Sequence, residues 1–596
     1  MEKQKERIDI KIEDTWDLTL IFKSDEEFYN ELKNVEENLS EITKYQGHIL
    51  DNSNNLLSFL KQSDNDERKL YKLFYYAHLK LDQDTANTTY QEMEGKITNL
   101  LQKYGILTSF IMPELMQGDY NKVLEYINEN KELEIYKFNL ENIYRYQKHS
   151  LNHDEEKLLS HLSKSLDTAE KTFDALTDAD MKFPDIIIDD KHLELTESNY
   201  SLYLDDPNRE IRCQAFNNLL GTYGEYKNTL ASTFSGNVEL LTSMAKIKKF
   251  DSSLEASLYP DNIDKSVYNN LIDTINRHMD VLYKYYDLKK TALGVEELHL
   301  YDIYRTMVSD FNKKYTFDEA KDTVIDALSV LGDDYITNLS KAFSERWIDK
   351  YNNKGKRGGA YSSGFYDTKP YVLLNFEGKY NDVTTLAHEL GHSMHTYYSC
   401  SNQPYNLSSY NIFVAEVAST VNELILVRYL LKKSTEKQEK LFLLNKLMEL
   451  YKATIYRQVM FAEFERDMHH DLESGEILTN EYLSSKYLEL VKKYFGDGVV
   501  IDENIKNEWM RIPHFYYNFY VYKYAIGLSC ATKIVNDIES GKIDDYLNFL
   551  KTGGSMYPSE ELKVANVDIN DPELYIEAIN TFNSYIEEYK NVMKGE

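Results

Sequence analysis

The chain has 596 residues, of which 42% are hydrophobic and 13% aromatic, so it is too apolar for a disordered protein and longer than one hydrophobic core usually serves. Its formal net charge of −31 disfavours nucleic acid and membrane surfaces as partners, because both are anionic. Only 23 Gly and 9 Pro punctuate this length, too few for the closely spaced turns of an all-β fold. We therefore predict a mainly α-helical protein with at least two lobes.

The start of the chain and its cysteines indicate the compartment. Residues 1–7 run straight into mixed polar sequence without the apolar segment of a signal peptide, and no later run approaches the roughly 20 apolar residues of a membrane span. Cys213, Cys400 and Cys530 are widely separated and odd in number, which fits a reducing environment. We expect a cytoplasmic protein whose cysteines are ordinary thiols.

Along the chain, successive amphipathic helices are predicted up to about residue 180. Around residues 181–203 the pattern changes to short β-rich runs, so we place a domain boundary there, with an N-terminal helical domain over 1–195 and a second domain over 196–596. Helical periodicity resumes to about residue 345. A glycine-rich loop over 352–364 and a short apolar strand over 371–376 follow, and helices then dominate to the end.

The helix after this strand contains the pattern His388-Glu389-x-x-His392. Residues four apart lie one turn apart on the same face of a helix, so both imidazoles can reach a single Zn²⁺ ion. Glu389 can lean toward a water molecule bound by that ion, which is the position of a general base. The spacing also occurs by chance, but the apolar residues around it make two unpartnered histidines costly and favour a metal site.

A catalytic zinc ion needs a third protein ligand. The metzincin pattern would require a histidine where Tyr398 stands, so that pattern is excluded. Three ligands from one short helix cannot surround a tetrahedral ion, so we place His395 in the second shell or at the surface. Glu416 is the better donor, because it lies among apolar residues of the next helix, where a carboxylate must be paired, protonated or metal-bound. A buried ion pair is the alternative for Glu416. Glu423, on the same face, could hold a ligand histidine from the second shell.

Together these residues resemble a known family. The pairing of His388-Glu-Leu-Gly-His392 with Phe413-Val-Ala-Glu-Val-Ala-Ser-Thr420 is similar to that of the thimet-oligopeptidase-like M3 zinc metallopeptidases, and specifically to the oligoendopeptidase F branch. The resemblance implies His388, His392 and Glu416 as ligands of one Zn²⁺ per chain and Glu389 as the base. It also implies a two-lobed helical clamshell with a deep channel that admits short, unstructured peptides, and a small β-sheet beside the metal-binding helix. Further matching segments are Asp14–Thr19, Lys356–Ser362, Arg457–Glu465 and Gly553–Pro558.

Two other segments acquire a function through this resemblance. Pro513 is expected to open a helix on which Tyr517, Tyr520 and Tyr524 share a face. Such an aromatic stripe usually belongs to the core. In similar enzymes, however, a histidine and tyrosines in this segment stabilise the developing oxyanion, and His514 matches that histidine. The loop and strand near residue 360 could be an ordinary hairpin or a substrate-binding edge onto which an extended peptide adds. The substrate-binding residues expected in the second case are Gly358, Gly359, Ala360 and Tyr361.

The function predicted from the sequence is therefore a zinc-dependent endopeptidase that hydrolyses internal bonds of short oligopeptides. Two alternatives remain open: a non-catalytic, zinc-stabilised peptide-binding helical protein, and zinc-dependent hydrolysis of a non-peptide amide. Cleavage-site preference and oligomeric state are not encoded in these motifs.

Overall fold

The computed structural model describes residues 4–308 and 313–595, and it is mainly α-helical as expected. Within these ranges no helix combines the length and the apolar character that crossing a membrane requires. In chain order the helices are α1 (Asp25–Asn38), α2 (Ser53–Gln83), α3 (Thr88–Leu107), α4 (Ile111–Gln117), α5 (Tyr120–Glu129), α6 (Lys137–Arg145), α7 (His153–Leu166), α8 (Thr168–Asp174), α9 (Glu197–Leu204), α10 (Arg209–Glu225), α11 (Lys227–Ile247), α12 (Ser253–Leu258), α13 (Lys265–Arg277), α14 (Met279–Leu293), α15 (Phe317–Leu328), α16 (Asp333–Ser344), α17 (Tyr380–Asn402), α18 (Ile412–Lys433), α19 (Lys437–Tyr451), α20 (Arg457–Glu473), α21 (Asn480–Phe495), α22 (Tyr522–Glu539), α23 (Ile543–Phe549), α24 (Pro558–Val564) and α25 (Pro572–Lys594).

The strands of the described chain are short and form three small sheets. An antiparallel hairpin lies in the β-rich segment predicted near residue 190, and a second, two-stranded sheet is parallel. The third sheet has the order β4-β6-β5, with β6 parallel to β4 and antiparallel to β5, and it packs on α17, so the small sheet expected beside that helix is present. The strands are β1 (Ile186–Ile188), β2 (Lys191–Leu193), β3 (Leu298–His299), β4 (Ile348–Asp349), β5 (Tyr361–Ser363), β6 (Tyr371–Leu373) and β7 (Val499–Val500).

The chain divides into two compact units, and each is assembled from three separate stretches of sequence. The first unit contains Met1–Ser150, Asn312–Tyr429 and Ile534–Val567, and the second contains Leu151–Phe311, Leu430–Lys533 and Asp568–Glu596. The boundary expected between residues 195 and 196 falls inside the second unit. The two sequence domains stay a prediction, because each compact unit combines stretches that are far apart in the sequence.

In the first unit, a buried ion pair fixes the loop that leads to the glycines near residue 360. Lys356 lies 2.7 Å from Asp349, and neither side chain is exposed. The same ammonium group donates hydrogen bonds to the carbonyl oxygens of Tyr351 and Leu374, at 2.8 and 2.5 Å, while Arg7 pairs with Asp349 at 2.5 Å. Burying these charges is tolerable because each is paired and hydrogen-bonded. The loop therefore leaves the sheet from a fixed point.

The two helices that carry the candidate metal ligands begin with capping interactions. The carboxylate of Asp382 accepts hydrogen bonds from the backbone N–H groups of Glu377 and Lys379, at 2.9 and 2.8 Å, at the start of α17. Before α18, the side-chain oxygen of Asn411 accepts from the N–H of Phe413 at 2.7 Å. The first contact ties the residues ahead of α17 to its first turn, and the second satisfies a donor that the first turn of α18 leaves unpaired. The irregular segments therefore end at defined residues just ahead of the site.

Candidate metal centre

Three donor atoms converge between α17 and α18 in the first unit. The Nε2 atoms of His388 and His392 lie 3.2 Å apart, and the Oε2 atom of Glu416 lies 3.6 and 3.8 Å from them. A tetrahedral zinc ion with bonds of about 2.0–2.1 Å holds its ligand atoms roughly 3.3 Å apart. In the part of the chain that the structure describes, these three residues are the group of histidine, cysteine and acidic side chains able to share a metal ion. The donor set fits Zn²⁺.

The environment of Glu416 differs from the one its neighbours in the sequence suggest. Val414, Val417 and Ala418 are fully buried, but the side chain of Glu416 is 53% exposed. The carboxylate points away from the apolar face of α18 and toward the histidines. The expectation of an apolar setting for this carboxylate was wrong, because helical periodicity places it on the edge of the buried stripe.

Gly391, between the two histidines, allows α18 to approach α17 backbone to backbone. A Cβ atom on Gly391 would lie 2.6 Å from the Cα atom of Ser419 and 2.7 Å from the carbonyl oxygen of Ala418. The side-chain amide of Asn422 also donates to the carbonyl oxygen of Ala387 at 3.1 Å, tying the same two helices together. Neither residue was predicted to belong to the site, although an isolated glycine inside a helical pattern is a signal for close backbone packing.

The metal-facing histidines have different surroundings. The Nδ1 atom of His388 lies 2.6 Å from Oε1 of Glu423, the arrangement by which carboxylates orient metal-binding imidazoles. Burial by itself would lower the pKa of His388, but the hydrogen bond and charge of Glu423 outweigh burial and raise it. Burial, followed by the proximity of His388, lowers the pKa of His392 to about 4. His392 is therefore neutral at pH 7, as a metal ligand must be.

Glu389 lies in a buried position beside this group. Glu389 is 7% exposed, and burial raises the pKa of its carboxyl group to about 7. The nearby charge of His388 and a hydrogen bond from the backbone of Ser362 act in the opposite direction and lower the pKa. Ser362 belongs to β5, and its hydroxyl group also lies 2.8 Å from that of Ser393 on α17. The helix that carries Glu389 is thus attached directly to the edge of the small sheet.

The strand predicted over 371–376 is not the edge strand that the sequence suggested. Tyr371, Val372 and Leu373 are fully buried and form the centre of the sheet, with β4 on one side and β5 on the other. The outer strands are β4 and β5 instead, and β5, whose first residue is Tyr361, pairs antiparallel with β6 because the glycine loop folds back. This is a correction of the expected edge, made by tertiary pairing that a single strand pattern cannot reveal.

The residues around the glycine loop have distinct structural roles. Gly359 adopts φ +81°, which other residues rarely tolerate, and its carbonyl oxygen accepts a hydrogen bond from Asn375 at 2.8 Å. Gly358 and Ala360 flank it at the surface. The hydroxyl group of Tyr361 donates to Asp82 on α2 at 2.7 Å. The loop is therefore held in place on both sides while its backbone stays accessible.

His395 is fully buried, so of its two expected placements, in the second shell or at the surface, the surface placement is wrong. Its ring stacks on Tyr410 with centroids 3.7 Å apart and contacts Phe549 at 5.2 Å. Both ring nitrogen atoms lack a hydrogen-bond partner among the described residues, and burial lowers the pKa of His395 to about 3. His395 is thus a neutral core residue, three positions beyond His392 and outside the ligand group.

The tract around His514 belongs to the second unit and is less helical than predicted. A short 3₁₀ turn over Pro513–Tyr516 is followed by Asn518 and Phe519 at φ +51° and +58°, and α22 begins at Tyr522. Tyr517 therefore does not lie on one helix with Tyr524. The break nevertheless leaves three tyrosine rings around His514, with centroids 5.5 Å away for Tyr517, 6.5 Å for Tyr520 and 6.0 Å for Tyr524.

Within this tract the hydroxyl group of Tyr524 lies 3.4 Å from Nε2 of His514. Tyr517 is 45% exposed, whereas Tyr520 and Tyr524 are half-buried. Burial lowers the pKa of His514, so its imidazole is neutral at pH 7.

Cys213, Cys400 and Cys530, expected to be ordinary thiols, are free.

Comparison with known proteins identifies families that this chain matches. Residues 202–581 match the family model for peptidase family M3, and residues 114–183 match the model for oligopeptidase F. The first match includes every candidate metal ligand and the tract around His514. It spans more than half of the chain.

Relatives extend the similarity to the full length. Oligopeptidase PepF of Bacillus subtilis is 42% identical over 592 residues, covering 99% of this chain and 88% of that protein. A solved structure from Chlamydophila abortus superposes with a TM-score of 0.94 at 37% identity, covering 99% of this chain and all of the other. Oligoendopeptidase F from Enterococcus faecium gives a TM-score of 0.72 at 32% identity, over 96% of this chain and all of that one. With the donor group and the full-length similarity in agreement, the chain belongs to peptidase family M3.

Proposed function

We propose that this peptidase is a zinc-dependent endopeptidase that cleaves internal bonds of short, unstructured peptides. The observation that carries the proposal is the triangle of His388, His392 and Glu416 donor atoms with Glu389 beside it. Three protein ligands are typical of a catalytic zinc ion, which keeps one position open, whereas structural zinc ions normally have four. The names of the relatives, oligopeptidase and oligoendopeptidase, support short peptides as substrates. A cytoplasmic location stays a prediction from the sequence.

Each group of the site has a chemical task in this proposal. A bound zinc ion would lower the pKa of a coordinated water molecule toward 7 and polarise the peptide carbonyl group. Glu389 takes the proton of the attacking water and returns it to the leaving amine, a role suited to a carboxylate whose pKa lies near the working pH. Glu423 holds the Nδ1–H of His388, which leaves Nε2 of that ring free to bind the metal.

The free edge of β5 is the proposed contact for substrate backbone. β5 is linked to α17 through Ser362 and Ser393, so a peptide added at this edge would lie along the helix that carries Glu389. The accessible backbone of Gly358, Gly359 and Ala360 would extend this contact. Main-chain pairing of this type selects for extended peptides and tolerates many side chains.

The catalytic roles of His514, Tyr517, Tyr520 and Tyr524 rest on the family resemblance. Tyr524 has the hydrogen-bonding geometry to orient His514, which makes it the tyrosine of choice for a first test. A Tyr524→Phe variant is expected to lose about tenfold or more in kcat with its zinc content intact, if its hydroxyl group stabilises the transition state. Tyr517→Phe, at the most exposed of the three positions, serves as the comparison.

The decisive experiment replaces Glu389 by glutamine. Purified wild-type and Glu389→Gln proteins are incubated with a mixed peptide library and with an intact folded protein, with and without a chelator, and the products are identified by mass spectrometry. We expect chelator-sensitive internal cuts in short peptides for the wild type and their loss in the variant, which should retain one zinc ion per chain.

A matched control makes the same chemical change at Glu377, an exposed residue just before α17. Glu377→Gln should cleave at the wild-type rate. Normal cleavage by zinc-loaded Glu389→Gln would disprove the role of the base. Peptide binding without any cuts by the wild type would support the non-catalytic alternative.

A further inference from the structure

A cavity of about 30 Å³ lies inside the second unit. Its wall is mostly aromatic and aliphatic, with side chains from α9, α10, α14, α20 and α21. Three tyrosines, Tyr200, Tyr286 and Tyr304, line it together with Lys452 and Arg457. Because one water molecule needs about 10–15 Å³ of such volume, the space suits one monatomic ion or two water molecules.

The polar groups at this cavity are mainly hydrogen-bond donors. Among the described residues, the hydroxyl groups of Tyr200, Tyr286 and Tyr304 have no hydrogen-bond partner; Tyr200 and Tyr286 are buried, whereas Tyr304 is 38% exposed. Lys452 and Arg457 can only donate. The phenol of Tyr304 interacts electrostatically with Tyr200, with Tyr286 and with Arg457, so these groups are near neighbours. An occupant that accepts several hydrogen bonds at once would satisfy them.

The carboxylates nearby are already engaged. Glu508, which also lines the cavity, accepts from Arg457 at 2.6 and 3.2 Å. Glu449 is shared by two lysines, at 2.7 Å from Lys289 and 2.9 Å from Lys452. Three cationic groups therefore face two carboxylates. The excess of one positive charge is notable in a chain whose formal net charge is −31.

The next charged groups do not supply the missing negative charge. Arg511, which lies over the ring of Tyr200, pairs with Glu197 at 2.6 Å. Asp205, which interacts with Lys289, pairs with Arg305 at 3.0 Å. Each of these carboxylates has a base of its own, so the positive excess stays at the cavity. Unbalanced charge in such surroundings is costly unless a counter-ion accompanies it.

The backbone next to the cavity is also unusual. Lys452 to Tyr456 form a π-helical turn between α19 and α20, and this turn places Lys452 and the following Arg457 on the cavity wall. π-helical turns are rare and are frequently found at functional sites, because they move side chains out of regular helical register. The irregularity and the excess of donors thus occur at the same place.

We propose that this cavity binds a small monovalent anion of the size of chloride. The anion balances the additional lysine charge and accepts hydrogen bonds from the tyrosine hydroxyl groups. Water could accept the same hydrogen bonds, but it carries no charge and so would leave the lysine charge unbalanced.

The direct test is diffraction from crystals of the metal-loaded protein soaked in sodium bromide, with data collected at the bromine absorption edge. We expect an anomalous peak in the cavity, between Lys452 and the hydroxyl group of Tyr304. In solution, the melting temperature is followed as chloride replaces gluconate at constant ionic strength, and it should rise with chloride concentration as an occupied site requires.

Variants connect the solution effect with the cavity. Tyr304→Phe removes one donor and should weaken the apparent chloride affinity by about tenfold, the effect of losing one hydrogen bond to a charged group. Lys446→Met removes an exposed lysine from α19, the helix that precedes the π-helical turn, and should leave the chloride response unchanged. A missing bromide peak, or a chloride response that is the same in Tyr304→Phe and the wild type, would overturn the proposal. Two ordered water molecules would then be the occupants.

Discussion

Replacing Gly391 by alanine adds one methyl group where the backbones of α17 and α18 meet. The new Cβ atom would lie 2.6 Å from Cα of Ser419 and 2.7 Å from the carbonyl oxygen of Ala418, whereas carbon atoms in ordinary contact are about 3.5–4.0 Å apart. Because both neighbours are backbone atoms, no side-chain rotation can relieve the overlap. The two helices must separate by about 1 Å, at a cost of roughly 1–3 kcal/mol in the free energy of unfolding.

The same separation should impair metal binding. Glu416 lies one turn before Ser419, so a shift of α18 moves its carboxylate away from the two histidines, whose donor atoms are now 3.6 and 3.8 Å from it. Metal–ligand distances tolerate changes of only about 0.2 Å. We expect the zinc affinity of Gly391→Ala, measured by competition with a chromophoric chelator, to fall by about tenfold or more and kcat/KM to fall with it.

The control for this variant is Gly95→Ala on the exposed face of α3, where a Cβ atom would meet nothing within 4 Å. Alanine there should raise the free energy of unfolding by about 0.5–1 kcal/mol, as expected for an open helical position. If Gly391→Ala bound zinc and unfolded like the wild type, the helix-contact argument would be refuted.

Three other outcomes are expected. Glu423→Gln should weaken zinc affinity by about 10- to 100-fold in a chelator competition, because His388 loses a charged partner; unchanged affinity would rule out this positioning role. His395→Phe should retain one zinc ion per chain by metal analysis. The variant should also unfold less readily in acid, because the wild type loses the stability that a neutral His395 provides as the pH falls from the ordinary pKa of histidine toward about 3. Glu561 is buried, and neither of its carboxylate oxygens has a hydrogen-bond partner among the described residues. Burial raises its pKa to about 8, so stability present at low pH is lost as the pH rises from about 4.5 to 8. Thermal melts of Glu561→Met across this range should lack that loss, on the order of a few kcal/mol, and a slope equal to the wild type would contradict the assignment.

Local sequence predicted the elements whose signal is local. The spacing of His388, Glu389 and His392 requires only a helix, and α17 provides it. Scarce glycine and proline indicated helices, and the β-rich segment near residue 190 is a hairpin. Periodicity also indicated that α18 would have a buried stripe, but it did not show that Glu416 lies at its edge.

Features that depend on contacts between distant segments were not predictable in this way. The break after Tyr517 depends on left-handed conformations at Asn518 and Phe519, and these are stabilised from elsewhere in the chain: the buried carboxylate of Glu465 accepts from the N–H of Phe519 at 2.6 Å. The burial of His395 likewise depends on Phe549, which lies far along the sequence. A helical pattern read from one segment contains no information about such partners.

The interleaving of the two units has a consequence for how the chain reaches its native state during synthesis. The first unit contains residues up to Ser150 but is complete only at Val567, so its earliest helices must wait for about 417 further residues. At the usual 5–20 residues per second, this interval is roughly 20 to 80 s. During that interval helices α1 to α6 can pack on one another, but their contacts with the second and third stretches of the first unit have not yet formed, and neither unit can be produced from one uninterrupted gene fragment.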